Sequence, residues 1–161
     1  MRAKGAGRII ITDISPAKLA LAQRLGADIT LRADEPELLQ RLLQATGPEG
    51  ADAVVEAVGV PTTVETALAV VRKGGKVTLV GNVSPRVEVP LQMIVGRELD
   101  IYGVCASNGE YADCIALIAA GRFQVDPLIS EYARLEDGQA VFDRLCRGAA
   151  DNVRTVFVFG S

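Results

Sequence analysis

One acidic side chain stands where a short apolar run meets the start of a helix, in Arg8-Ile-Ile-Ile-Thr-Asp13-Ile-Ser-Pro-Ala-Lys18. A carboxylate at the carboxyl end of a parallel strand accepts hydrogen bonds from both hydroxyls of an adenosine ribose, and its charge repels an added 2'-phosphate. In that setting Asp13 favours NAD over NADP. The plainer reading is a helix cap or a solvated turn residue. Lys18, one turn into the helix, reaches the same ribose or belongs to a solvated face. Two later strand ends carry glycine, in Val54-Val-Glu-Ala-Val-Gly59 and Val80-Gly81-Asn82. There the backbone can approach a ligand closely, or the glycines simply turn the chain.

Other chemistries are poorly supplied. The 161 residues include no histidine, which removes the usual general base and the commonest zinc ligand together. Cys105, Cys114 and Cys146 are odd in number and widely spaced, which suits neither a disulfide framework nor a CxxC metal pair. They are expected as reduced thiols, mostly buried. A net charge of -3 and a pI near 5.0 leave no basic footprint for nucleic acid or an anionic membrane surface. At 49% hydrophobic and 23% charged residues, the composition is that of a soluble globular protein with one sizeable core. No apolar run is long enough to span a bilayer and the N-terminus has no signal-peptide pattern, so a cytoplasmic location is expected.

The elements that would position these residues follow a parallel α/β rhythm over the first hundred residues. Strands are predicted at 8–12, 28–31, 53–57, 76–80 and 99–104. Ser15 is a plausible N-cap with Pro16 at the first helical position, and Ala17, Leu21 and Leu25 form one face until Gly26 ends the helix. Leu38, Leu39, Leu42 and Leu43 make a second apolar stripe. Val64, Ala67, Leu68 and Val71 make a third, stopped by Gly74-Gly75. Beyond residue 104 the rhythm changes. A helix carries Tyr111, Cys114, Ile115 and Ile118, another carries Val141, Phe142 and Leu145, and 154–159 alternates like a half-buried strand.

Taken in order, Gly5-Ala-Gly-Arg-Ile-Ile-Ile-Thr-Asp13, Leu25-Gly-Ala-Asp28, Asp52-Ala-Val-Val-Glu-Ala-Val-Gly59, Arg72-Lys-Gly-Gly-Lys-Val-Thr-Leu-Val-Gly81 and Arg154-Thr-Val-Phe-Val-Phe159 resemble the C-terminal half of a zinc-type medium-chain alcohol or polyol dehydrogenase. The sorbitol and threonine dehydrogenase branch is the most similar. The resemblance implies a fold class of α/β type, with a Rossmann-type parallel sheet lacking its first strand, then a helical C-terminal tail and a terminal strand of the catalytic domain. It implies a partial NAD-binding domain over 1–104 and a segment over 105–161 returning to a catalytic domain outside the chain.

The same resemblance assigns site residues. Asp13 corresponds to the ribose-binding acid and Lys18 to a second ribose contact. Val58 and Gly59 correspond to a segment on the adenosine side, and Val80, Gly81 and Asn82 to a backbone edge near the nicotinamide amide. Gly103, Val104 and Cys105 lie beside the nicotinamide, and Arg154 contacts the pyrophosphate, a role suited to a bidentate, permanent charge. An exposed strand-edge arginine is the alternative. The glycine-rich phosphate loop, the first strand and the zinc ligands do not occur in this sequence. The resemblance thus implies a truncated oxidoreductase, inactive by itself. Its parent would transfer a hydride from a secondary alcohol or polyol to NAD with zinc, and would assemble as a homo-oligomer through the edge strand 99–104. Other readings stay open: an S-adenosylmethionine methyltransferase, whose sheet would end in an antiparallel hairpin, and a non-catalytic dimerising module.

Overall fold

A computed structural model describes residues 1–122, 124–148 and 151–159. Packing divides it into two compact units, one of residues 1–35 with 110–161, the other of 36–109.

In the first unit, β1 (Ile10–Asp13) pairs in parallel with β2 (Ile29–Arg32), placing Ile10 beside Ile29 and Asp13 beside Arg32. The crossover is α1 (Pro16–Arg24). Ser15 caps it as predicted, its Oγ accepting the Lys18 N–H at 3.2 Å, with Pro16 supplying a pre-set φ at the first position. The buried face differs from the predicted one. Leu19 is buried, Leu21 is half-buried, and Ala17 and Leu25 are exposed. Asp28 clamps the entry to this unit, its Oδ2 accepting the Ile9 N–H at 2.7 Å and an Arg2 N–H at 2.6 Å. The Ile9 N–H, then Arg2, hold its carboxyl below the ordinary range. Later in this unit come α5 (Tyr111–Ala119), β6 (Glu131–Arg134), α6 (Gly138–Cys146) and β7 (Thr155–Val158). Strands β6 and β7 pair in parallel.

In the second unit, β3 (Ala51–Glu56), β4 (Val71–Leu79) and β5 (Asp100–Gly103) form a parallel sheet in the order β3-β4-β5. Helix α3 (Pro61–Val70) connects β3 to β4 and the short α4 (Leu91–Gly96) connects β4 to β5, while α2 (Leu38–Thr46) precedes β3. The core here is Val64, Ala67, Leu68, Val71 and Val77, with Val71 and Val77 fully buried. Among the described residues, β1 pairs only with β2 and β3 only with β4. That is the pattern expected of a Rossmann-type sheet lacking its central first strand.

Two local expectations are corrected. Gly74-Gly75 does not stop α3; the helix ends at Val70 and both glycines lie inside β4, which starts five residues earlier than predicted. What ends the helix is a side chain from further along. The half-buried Arg97 donates to the carbonyls of Leu68 at 3.1 Å and Ala69 at 3.3 Å, and also to that of Val71. A guanidinium on the last carbonyls satisfies groups that the helix leaves unpaired and complements its dipole. Arg97→Ala is therefore expected to cost about 1–3 kcal/mol, because several carbonyls beside the core lose a charged donor. Urea unfolding followed by circular dichroism checks this, and Arg97→Lys should recover only part of the loss. The second correction concerns the thiols: Cys105, Cys114 and Cys146 are all exposed. Each sits on a face or loop turned away from its unit's core, and the exposed neighbours Tyr111 and Ile115 show that the α5 stripe is likewise uncovered.

Candidate functional site

Asp13 ends β1 half-exposed. Its Oδ1 accepts the Ser15 N–H at 2.8 Å, the short turn that leads into α1. Among the described residues no donor meets Oδ2. The nearest cation in register is Arg32, whose guanidinium is committed to Asp34 through contacts of 2.8 Å and 2.5 Å. Asp34 also holds the Arg32 guanidinium protonated beyond its usual value. Asp13 therefore stands at the carboxyl end of a parallel strand with Oδ1 engaged in the turn and, among the described residues, no donor on Oδ2. Lys18 is half-buried on the first turn of α1, where its N–H is part of the cap.

Ser15 carries a contact that spacing could not reveal. Its buried hydroxyl donates to Asp151 Oδ1 at 2.8 Å, across 136 positions of sequence. This ties the Asp13 turn to the segment that leads into Arg154 and β7. Arg154 itself is exposed just before β7, and its carbonyl accepts the Ser130 N–H at 2.8 Å. These residues all belong to the first unit.

The second unit brings together Val58, Gly59, Val80, Gly81 and Asn82. The loops after β3 and β4 cross backbone to backbone: Val83 N–H reaches Val58 O at 3.3 Å and Ser84 N–H reaches Gly59 O at 2.8 Å. Gly59 is buried with φ +80°. A Cβ on it would fall 2.3 Å from Asn82 N, and one on Gly81 would fall 2.2 Å from Val58 C. Both positions therefore demand glycine for the close approach itself. Val58 and Val80 flank the crossing with exposed side chains, at 47% and 46%. Val104 follows β5 and donates to Leu79 O at 3.1 Å, and Cys105 comes next, exposed. Gly103 closes β5.

Glu56, unremarked in the sequence beyond its place in the Val54–Gly59 run, organises this crossing. Its Oε1 accepts the N–H groups of Val58 at 2.9 Å and Gly59 at 2.8 Å. Burial pushes its carboxyl up, and the Gly59 N–H, the nearby Thr63 hydroxyl and the Val58 N–H outweigh that push, leaving it below the ordinary range. Thr63 Oγ1 itself lies within hydrogen-bond reach of Val60 O at 3.0 Å and carries the closer geometry there.

Parallel strand–helix–strand units with an acid and paired glycine loops at their carboxyl ends define a Rossmann-type α/β protein. The chain belongs to the zinc-binding dehydrogenase family, whose profile matches residues 1–120. It is 34% identical to sorbitol dehydrogenase of Bacillus subtilis over 145 residues, covering 89% of this chain and 41% of that protein. It is also 34% identical to L-idonate 5-dehydrogenase of Vitis vinifera, covering 91% and 42% respectively. A solved structure from Sinorhizobium meliloti, assigned as a zinc-binding dehydrogenase and bound to NADP, superposes with a TM-score of 0.89 at 26% identity, covering 98% of this chain and 47% of that one. The chain thus spans about two-fifths of the length of the curated relatives it matches. Its terminal pair, β6 with β7, is parallel, where a methyltransferase sheet would end in an antiparallel hairpin.

Among the described residues, no three Cys, Asp or Glu side chains gather as a metal set. No described helix is long and apolar enough to cross a membrane.

Proposed function

We propose that this chain is the nucleotide-binding part of an NAD-dependent, zinc-type alcohol or polyol dehydrogenase. The carrying observation is Asp13, at the carboxyl end of β1 with its second oxygen open and no neutralising partner among the described residues. That arrangement fits a vicinal diol and disfavours a phosphate on it. Asp13 holds the adenosine ribose, with Lys18 as a second contact. Val58 and Gly59 line the adenosine side. Val80, Gly81 and Asn82 present the backbone edge toward the nicotinamide, with Gly103, Val104 and Cys105 beside it, and Arg154 contacts the pyrophosphate. Residues 1–104 form the partial cofactor domain and 105–161 return to the catalytic domain.

Zinc, when bound in such an enzyme, polarises the alcohol oxygen. The described residues do not fit it, so its ligands belong to sequence outside this chain, and no step is assigned to it through these side chains. The part played here is to bind and orient the dinucleotide so that hydride transfer from a secondary alcohol can occur. A cytoplasmic setting, where three exposed thiols stay reduced, suits this reading.

The test is formation of NADH from sorbitol and related polyols by the longest natural protein that carries this chain. Turnover with NAD that is lost on chelating zinc supports the proposal. Saturable binding of S-adenosylmethionine without any NADH formation would overturn it.

We also propose that β5 pairs with its copy in a second subunit. It is the sheet's edge and exposed throughout. Because Val104 N–H points to β4, alternation turns the N–H groups of Ile101 and Gly103 to the open side. Ile101→Pro removes an edge donor without breaking a bond to β4. Sedimentation is expected to show a dimer converted to monomer, with circular dichroism retained; an unchanged dimer would exclude this edge.

A further inference from the structure

Glu56 is 4% exposed, the one buried acidic residue among the described residues. A carboxylate withdrawn from water is costly unless hydrogen bonds replace its solvation, and an apolar side chain of similar volume packs at lower cost. Here the replacement is wholly local. The side-chain Oε1 takes the N–H groups of Val58 and Gly59, and the main-chain carbonyl of the same residue takes those of Val80 at 2.8 Å and Gly81 at 3.1 Å. One residue thus tethers the first peptides of both loops that leave the carboxyl rim of the sheet. Its other oxygen, Oε2, is buried without a partner among the described residues, and the nearby Thr63 hydroxyl, on the first turn of α3, favours the charged carboxyl.

Those loops cross with no room for a Cβ on either glycine, so a small shift of one displaces the other. At the same rim Val58 and Val80 expose apolar side chains. Open α/β sheets bind ligands there. Resting on the NAD-binding reading above, we propose that Glu56 is a positioning residue: it touches no cofactor, and its carboxylate and carbonyl lock the two glycine loops so that Val58 and Val80 present one apolar platform to the dinucleotide.

The test compares wild type, Glu56→Gln and Glu56→Ala in the longest natural protein that carries the chain, by amide hydrogen exchange and by calorimetric titration of NAD and NADP. Glu56→Ala is expected to speed exchange at Val58 and Gly59 about tenfold more than elsewhere, the loss of two charge-assisted bonds. It should weaken NAD and NADP by a common factor of about ten, since the discriminating charge on Asp13 is untouched. Glu56→Gln keeps a carbonyl acceptor and should show smaller changes of the same pattern, about threefold, which keeps the test decisive if the alanine variant does not fold. Uniform acceleration of exchange with unchanged NAD affinity would reduce Glu56 to a stability role and overturn the proposal. Absence of saturable NAD binding in wild type would instead sink the cofactor reading, and the exchange data would then decide the tether by themselves.

Discussion

Gly59→Ala is expected to destabilise the protein by about 2–5 kcal/mol, combining a left-handed backbone penalty with overpacking. The residue sits at φ +80°, and its new methyl would lie 2.3 Å from Asn82 N and Gly81 C and 2.5 Å from Gly81 O. All three are main-chain atoms, so no side-chain rotation relieves the clash. The loop after β4 must retreat, which breaks the 2.8 Å bond from Ser84 N–H to Gly59 O. Gly81→Ala strikes the same crossing from the other side, 2.2 Å from Gly59 N and Val58 C. The pair should therefore be markedly less than additive, as expected for residues sharing one contact. Urea unfolding by circular dichroism measures both; a loss below about 1 kcal/mol for either would show that the crossing is loose.

Asp13→Asn is expected to shift coenzyme preference toward NADP by about 10- to 100-fold in the ratio of kcat/KM values. The amide oxygen can still accept the 2.8 Å bond from Ser15 N–H, so the turn into α1 survives while the charge is lost. A like charge about 4 Å away costs about 4 kcal/mol at an effective dielectric constant of 20, and exposure at the sheet rim screens part of it. About a third to two-thirds of that cost, roughly 1.4–2.7 kcal/mol, corresponds to the stated range. The solved relative from Sinorhizobium meliloti is bound to NADP. Under the proposed role, the choice in this chain lies in the Asp13 side chain. Steady-state kinetics of the longest natural protein carrying the chain checks this, and an unchanged ratio would remove the assigned role.

What could be read from sequence was whatever local chemistry decides. The Ser15-Pro16 cap, the apolar strands and the glycine-joined strand ends each follow from a few adjacent residues; the cap lies where expected, while β3 and β4 begin two and five residues earlier than predicted. Features set by distant partners were not legible. Glu56 is a separate case: its partners Val58 and Gly59 are two and three residues on, yet it reads as an ordinary strand residue until its carboxylate is seen turned back on its own loop. The end of α3 looks like the work of Gly74-Gly75 until Arg97, from beyond α4, is found on the carbonyls. Ser15 and Asp151 are 136 positions apart. Strand β6 was missed because Glu131-Tyr-Ala-Arg134 has little β-branched character, and its pairing with β7 makes it a strand. The thiols were misjudged because cysteine is usually buried, and here the helix and loop faces that carry them have no cover.

The central claim, that Asp13 grips the adenosine sugar, is tested most directly by a crystal structure of the longest natural protein carrying this chain, grown with NAD. The account predicts both ribose hydroxyls within about 2.6–3.2 Å of the Asp13 carboxylate, with Oδ2 making the shorter contact. An adenosine ribose bound at another edge of the sheet, or facing Asp13 only through bulk solvent, would contradict it.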